Sequence, residues 1–420
     1  MLARILTRLD VRHTALAHVL GAQWLAIVFN GALSFALSVL IARSFGPELF
    51  GVYATAVALG GLLSVLIDCG FCRLLQREQT RATPDLAVHA GDLGGYAVGH
   101  ALRLLAALAV AVLLLPLPFH TPTLLAALGA FGTAVMGQFG LSLLRGDGRF
   151  VKDAGWQVAS RVLTAGCIVG ALLAGADQPW QVLAAQLLGA AAFVLVVLKS
   201  LRVRPAFDIP WRLYRRLLPL VWLDLATVVY FRADMLLAKL LGVPNAEVGY
   251  YGVAFRILEA FLLLASPVSL ILFRKFRIVS GDAEAAIRQV PRPTLAAALV
   301  GLAIAFGLWL FGEPLIVLAY GDAYRPAGPL LTILGCTLIF AVANGVLNQA
   351  ALALGCERAC ALSASAAALV NVVGNLVLLP LYGVTAAAWL TAATEVVLGA
   401  GVAGALWSKW KQCRSNSRVV

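Results

Sequence analysis

Nine ionisable side chains stand inside otherwise apolar runs of this sequence: Arg103, Arg161, Arg232 and Arg256, with Asp68, Asp224, Asp234, Glu259 and Glu395. A charge in an apolar run costs about 2.5–3.5 kcal/mol even on insertion scales, so such groups face a cavity or a partner. A guanidinium grips phosphate or carboxylate oxygens through paired hydrogen bonds. A carboxylate in the same setting is the group that takes up and releases a coupling ion. At 100° per residue, Asp224, Arg232 and Lys239 fall within an arc of about 80° on one helix face, while Asp234 points elsewhere. Arg232 and Asp234 stand about 200° apart around the helix, so each needs a partner on another helix. Arg256 and Glu259 are three residues apart and can pair on their own surface.

The other reactive residue types form no constellation. The histidines at 13, 18, 89, 100 and 120 have no metal-like spacing. Cys69-x-x-Cys72 lacks a second pair or a nearby His to complete four ligands, and reads as a pair of small apolar residues. The seven cysteines are odd in number and lie in apolar runs or on the expected cytoplasmic side, so no disulfide framework is implied. No G-x-x-x-x-G-K-[ST] loop is present, and the acids stand singly in helices. The expectation is a protein without metal, cofactor or catalytic residues, and not an enzyme.

The elements that must position these charges are membrane spans. The chain has 420 residues, 61% of them hydrophobic and 12% charged, and a mean hydropathy of +0.92. That is more apolar surface than a soluble domain buries, which excludes a cytoplasmic globular enzyme. Continuous runs such as Leu104–Leu115 and Leu295–Phe311 lack the alternation of a β-barrel. Spanning helices of about 20 residues are expected at 17–42, 49–71, 94–117, 122–144, 153–175, 179–199, 213–241, 249–273, 294–319, 327–354, 359–380 and 384–408, an all-α polytopic architecture of about twelve helices.

A net charge of +12 would point a soluble protein toward nucleic acid, but here the positions of the charges matter more than their sum. With both termini cytoplasmic, 25 Lys and Arg fall in inner loops and tails and three (Arg43, Lys239 and Arg325) in outer loops. Arg4, Arg8 and Arg12 precede an apolar run with no A-x-A-like cleavage site, as in an uncleaved cytoplasmic arm. Six short outer loops leave no periplasmic domain. The longer inner stretches Arg73–Ala90 and Arg277–Arg292 suit either the anionic cytoplasmic face of the membrane or a solvated linker.

The halves repeat each other at one place. Ala42-Arg43-Ser44-Phe45-Gly46 and Phe50-Gly51-Val52-Tyr53 match Ala238-Lys239-Leu240-Leu241-Gly242 and Val248-Gly249-Tyr250-Tyr251 at an offset of 196 to 198. Six spans per half make this a parallel repeat, with lobes at 1–204 and 205–420 around a central cavity. Alternating access is the commoner use of such a plan; a symmetric scaffold is the other. Pro219, Pro267 and Pro314 can kink helices that bend in gating, or are ordinary prolines of membrane spans.

The segment from Ala42 to Tyr53, with the span ending Asp68-Cys69-Gly70, resembles the opening of the polysaccharide biosynthesis (O-antigen and exopolysaccharide) flippases. The likeness continues at Tyr320-Gly321-Asp322-Ala323-Tyr324-Arg325-Pro326-Ala327, at Leu347–Gly355, and from Asn371 through Pro380-Leu381-Tyr382-Gly383. It implies membership of the multidrug/oligosaccharidyl-lipid/polysaccharide flippase superfamily, with two six-helix lobes alternating between inward-open and outward-open states. The implied function is translocation of an undecaprenyl-diphosphate-linked oligosaccharide from the cytoplasmic to the periplasmic leaflet of the inner membrane, for O-antigen, capsule or exopolysaccharide. The implied partners are that lipid-linked oligosaccharide, membrane lipids and a polysaccharide polymerase. A drug/cation antiporter of the same superfamily is one alternative, against which four span arginines weigh. A membrane polymerase or ligase on the same carrier is another, and its long extracytoplasmic loop is missing.

Such a substrate needs cations for the diphosphate and polar groups for the sugars. Arg232 and Arg256, helped by Arg161 and Arg103, are the expected diphosphate residues. The alternative is that Arg103 and Arg161 snorkel to the inner surface and Arg256 only neutralises Glu259. Gln23, Asn30, Ser34 and Ser38 share a face of the first span and suit a sugar path. Thr337, Asn344 and Asn348, and then Asn371 and Asn375, align likewise, though hydrogen bonding between packed helices is the more frequent use of such residues. Any of the five span acids is eligible for ion coupling. Asp234 is preferred, with Asp224 beside it, and a Glu259 paired to Arg256 is disfavoured because an ion-paired acid stays ionised.

Overall fold

In lipid every backbone N–H and C=O must be satisfied within the chain, and apolar Leu-, Ala- and Val-rich runs do this as helices. The computed structural model describes the backbone of residues 2–79, 90–279 and 283–416. The side chains at 2–20, 90–91, 223, 264–271, 274 and 416 lie outside the described set, and with them His13, His18 and Pro267; His89, at 80–89, lies outside it as well. The elements are α1 (Leu2–Asp68), α2 (Phe71–Gln79), α3 (Ala90–Leu114), α4 (Thr121–Gly146), α5 (Phe150–Leu173), α6 (Pro179–Ser200), α7 (Trp211–Leu240), α8 (Asn245–Val279), α9 (Ala283–Arg288), α10 (Pro291–Tyr320), a 3-10 turn at Asp322–Tyr324, α11 (Ala327–Ala353), α12 (Glu357–Tyr382) and α13 (Val384–Asn416). No strand occurs among the described residues.

Nine helices among the described residues are long and apolar enough to cross a membrane. One of them, α1, is two helices joined at Gly46, whose φ of 71° and ψ of 174° interrupt the helix ahead of Pro47. Glycine takes the left-handed conformation without a Cβ clash, and proline starts the next arm because its missing N–H is an orphan there anyway. The helices α7 and α8, at 30 and 35 residues, also have the length to cross. This is consistent with the expected count of twelve. The protein is an all-helical, multi-pass membrane protein.

The chain divides into two compact units, one of residues 1–37 with 63–222 and the other of 38–62 with 223–420. Their membership therefore differs from halves cut at residue 204, because the segment 38–62 packs with residues from the second half. In the first unit α4 packs on α6, α3 and α2, and α6 also on α5. The segment after α1 packs in part: α2 buries Phe71, Leu74 and Leu75 against its neighbours and leaves Arg73 and Arg77 outward.

In the second unit α11 packs on α10, α8 and α13, and α12 on α13. On α10 the buried stripe is Gly301, Ala305, Leu308, Gly312 and Ile316, while Leu299, Phe306, Trp309 and Phe311 are exposed. Small residues inward and large apolar residues outward is the arrangement of a helix facing lipid, since lipid tails are as apolar as Leu and packing alone selects the interface. Pro219 and Pro314 lie inside α7 and α10.

Candidate functional site

Glu259 joins the two arginines singled out in the second half. Its Oε1 lies 2.8 Å from an Arg232 guanidinium nitrogen, and its Oε2 lies 2.9 Å from one of Arg256. The three side chains are 24%, 27% and 28% exposed for Arg232, Glu259 and Arg256, so the cluster is neither sealed nor free in solvent. The expected pairing within α8 is present, and Arg232 has the partner on another helix that its position requires. The sequence did not show that this partner is the same glutamate.

Two residues beyond Arg232, Asp234 turns into the packed interior and is 1% exposed. Its Oδ2 accepts a hydrogen bond from the Tyr251 hydroxyl on α8, and its Oδ1 accepts one of 2.9 Å from the Met235 backbone N–H. The Tyr251 hydroxyl lies 3.2 Å from Thr391 Oγ1 on α13. One turn before Asp234, the Tyr230 hydroxyl donates to Glu395 Oε1, while Asn344 Nδ2 on α11 donates to Glu395 Oε2 at 2.6 Å and to the Glu395 carbonyl at 2.8 Å. Tyr230 and Asp234 are thus one turn apart on α7, and Thr391 and Glu395 one turn apart on α13. The result is a buried ladder of two carboxylates and two tyrosines. Such groups persist in an interior only when hydrogen-bonded. The sequence reading included both acids and Asn344 but missed Tyr230, Tyr251 and Thr391. An aromatic in an apolar helix carries no signal that its hydroxyl faces an acid.

Asp224 is half-buried on α7 in the same unit. Asn375 Nδ2 donates to the Asn371 carbonyl at 2.8 Å, and both residues are buried, as helix-packing amides are.

Gln23, Asn30, Arg103 and Arg161 belong to the first unit. Arg161 donates to Ser34 Oγ, and Ser34 Oγ donates to the Asn30 carbonyl at 2.6 Å, which links three of the expected polar residues. Gln23 is held elsewhere. Its Nε2 donates to Asp153 Oδ2 at 2.9 Å and to the Phe150 carbonyl at 2.6 Å. Asp153 is fully buried, accepts a further bond from Gln157 at 2.8 Å, and lies 3.6 Å from Arg145. Arg103 is exposed, with its guanidinium 5.9 Å from the Phe207 ring. Ser38, grouped with Gln23 by helical spacing, lies in the second unit.

Asp68 has a local task. Its carboxylate accepts from the backbone N–H groups of Gly70 at 3.0 Å and Cys72 at 3.1 Å, capping the start of α2. Among the described residues no group of three His, Cys, Asp or Glu side chains is placed to hold a metal ion.

The sequence profile of a known family, described as "Polysaccharide biosynthesis protein", matches residues 40–329. The chain belongs to that family. It is 26% identical over 333 residues to the succinoglycan biosynthesis transport protein ExoT of Rhizobium meliloti (strain 1021), a match covering 75% of this chain and 63% of ExoT. The chain thus spans less than two thirds of that relative's length. Among solved structures it is similar to the lipid II flippase MurJ in an inward closed conformation, with a TM-score of 0.69 and 15% identity over 91% of this chain and 86% of MurJ. It is also similar to an inward-facing multidrug resistance MATE family transporter of the MOP superfamily, with a TM-score of 0.63 and 15% identity over 95% of this chain and 96% of that one. At such identity the likeness is one of fold.

Proposed function

We propose that the protein is a flippase of polysaccharide biosynthesis. It moves an undecaprenyl-diphosphate-linked oligosaccharide from the cytoplasmic to the periplasmic leaflet of the inner membrane, with both termini cytoplasmic. The product supplies a polymerase making O-antigen, capsule or exopolysaccharide. The observation that carries this reading is the half-open pair of guanidiniums, Arg232 and Arg256, within the helices of a chain from a polysaccharide biosynthesis family.

In this reading Arg232 and Arg256 receive the diphosphate through charge-assisted hydrogen bonds. Arg161 and Arg103 supply further positive charge in the first unit, and Asn30 and Gln23 contribute polar contacts along the path of the sugars. Asp234, with Asp224 on the same helix, carries the coupling ion. ExoT, a succinoglycan biosynthesis transport protein by name, supports transport in polysaccharide synthesis, and MurJ supports the same fold for a lipid-linked cargo.

The test is deletion of the gene, followed by assay of surface polymer and of lipid-linked intermediates with a membrane-impermeant sugar probe on spheroplasts. The expected result is loss of polymer and accumulation of single repeat units on the inner leaflet. Units that reach the outer face unpolymerised would instead mark a polymerase or ligase. Retention of cationic dyes with polymer unchanged would mark a drug antiporter.

A further inference from the structure

We infer that Glu259 is an exchangeable placeholder for the substrate's phosphoryl group: it holds Arg232 and Arg256 together while the site is empty and is displaced when the diphosphate binds. The inference rests on the flippase reading and adds a residue that sets affinity and release. One carboxylate bridges two guanidiniums, one oxygen to each, at 2.8 and 2.9 Å. A phosphoryl group presents oxygens with a similar spacing and more charge, so it makes the same two contacts with a stronger field. Each contact uses one nitrogen of its guanidinium, which carries five N–H donors, so donors beyond the one on Glu259 are there for further oxygens.

The second buried acid of this unit shows what a fixed acid looks like. Glu395 is 4% exposed, and both its oxygens are held by neutral donors, Tyr230 and Asn344. Glu259 is 27% exposed, and among the described residues its two oxygens are held by cations. The triad is part-exposed rather than sealed by packing, so its anion can be exchanged without unpacking the helices. Glu259 offsets the repulsion between the two guanidiniums while the site is empty; a diphosphate carries more charge and offsets it more fully once bound, so for affinity the carboxylate's competition outweighs its help in spacing the cations. The same carboxylate opposes overly tight binding, because it competes for both cations and returns to them as the substrate leaves.

The experiment uses the full chain in lipid nanodiscs, with farnesyl diphosphate as probe and farnesol as the uncharged control. Glu259→Gln removes the competing charge and keeps the shape, so it should bind farnesyl diphosphate about tenfold more tightly than wild type while flipping lipid-linked oligosaccharide more slowly in cells. Glu259→Asp keeps the charge but is too short to bridge both arginines, and should bind with intermediate affinity; it serves where the Gln variant does not fold. Wild-type affinity or weaker in both variants overturns the placeholder role even if wild-type protein binds the diphosphate and flips. Wild-type protein that binds farnesyl diphosphate no better than farnesol overturns the flippase reading and the placeholder with it.

Discussion

Gly51 and Gly249 stand face to face, and each leaves the space of a side chain to a backbone carbonyl of the other's segment. A Cβ built on Gly51 would overlap the Asn245 carbonyl and come within 3.1 Å of the Gly249 nitrogen; one on Gly249 would overlap the Pro47 carbonyl and come within 3.3 Å of the Gly51 nitrogen. The two contacts are related by the 198-residue offset of the repeat, so the repeated motifs pack against each other inside the second unit. Glu48 accepts a hydrogen bond of 2.9 Å from Asn245, and Arg43 donates to the Leu318 and Ala319 carbonyls at 2.6 and 2.7 Å.

Gly51→Ala and Gly249→Ala are each expected to push these helices apart, at about 1–3 kcal/mol as for other overpacked sites. Gly46→Ala meets no atom within 4 Å and carries only the penalty of its positive φ, about 1–2 kcal/mol. Thermal unfolding of purified protein in detergent measures all three. Unchanged stability in Gly51→Ala and Gly249→Ala would show that the close approach contributes nothing.

The sequence displayed this repeat but not its use. Matching residues in two halves reveal common descent of the segments, whereas their mutual contact depends on tertiary packing that no local pattern encodes. The spans were legible because apolar runs in lipid have helix as their available form, and Arg256 with Glu259 was legible because both lie on one helix. Arg232 on Glu259 was not, since the partner of a charge on a neighbouring helix depends on rotation and depth. Helical spacing grouped Ser38 with Gln23, yet the break between units falls at residues 37 and 38. The partner of the Gln23 amide, Asp153, was not legible either: it is an acid at the start of α5 whose burial nothing nearby announces.

Neutralising the arginines should impair transport without unfolding the protein. Arg232→Gln and Arg256→Gln are each expected to lower surface polymer at least tenfold at normal protein level, in line with truncation of a charged pair at about 2–5 kcal/mol. Arg256→Lys should remain impaired, because an ammonium is a point charge where a planar fork is needed. Polymer and protein level, measured together, decide the matter, and full export by either Gln variant would remove the diphosphate role.

The buried ladder should behave as stability elements that fail singly. Tyr230→Phe leaves Glu395 with one donor fewer in a dry interior, which should cost about 1–3 kcal/mol. Asn344→Leu removes the other donor and should cost a similar amount. Adding Glu395→Gln to Tyr230→Phe should recover part of the loss, because the uncompensated charge is then gone. A double-mutant cycle by thermal unfolding reads the coupling, and strict additivity would mean that the hydroxyl and the carboxylate do not interact.

Asp68 and Asp234 separate two roles that the sequence left open. Asp68 caps α2, so Asp68→Asn, which keeps an acceptor oxygen, should preserve transport and lose at most about 1 kcal/mol of stability. Among the described residues the donors that Asp234 accepts from are a tyrosine hydroxyl and the Met235 N–H. A carboxylate satisfied by neutral donors keeps the freedom to exchange a bound ion that an arginine-paired acid lacks. Asp234→Asn is therefore expected to make flipping insensitive to an imposed ion gradient, while Tyr251→Phe, which removes one donor but leaves the acid, should retain a weakened response. Proteoliposomes carrying lipid-linked oligosaccharide, assayed with and without proton and sodium gradients, distinguish these results. An Asp234→Asn protein that still responds fully to the gradient would move coupling to Glu395 or Asp224.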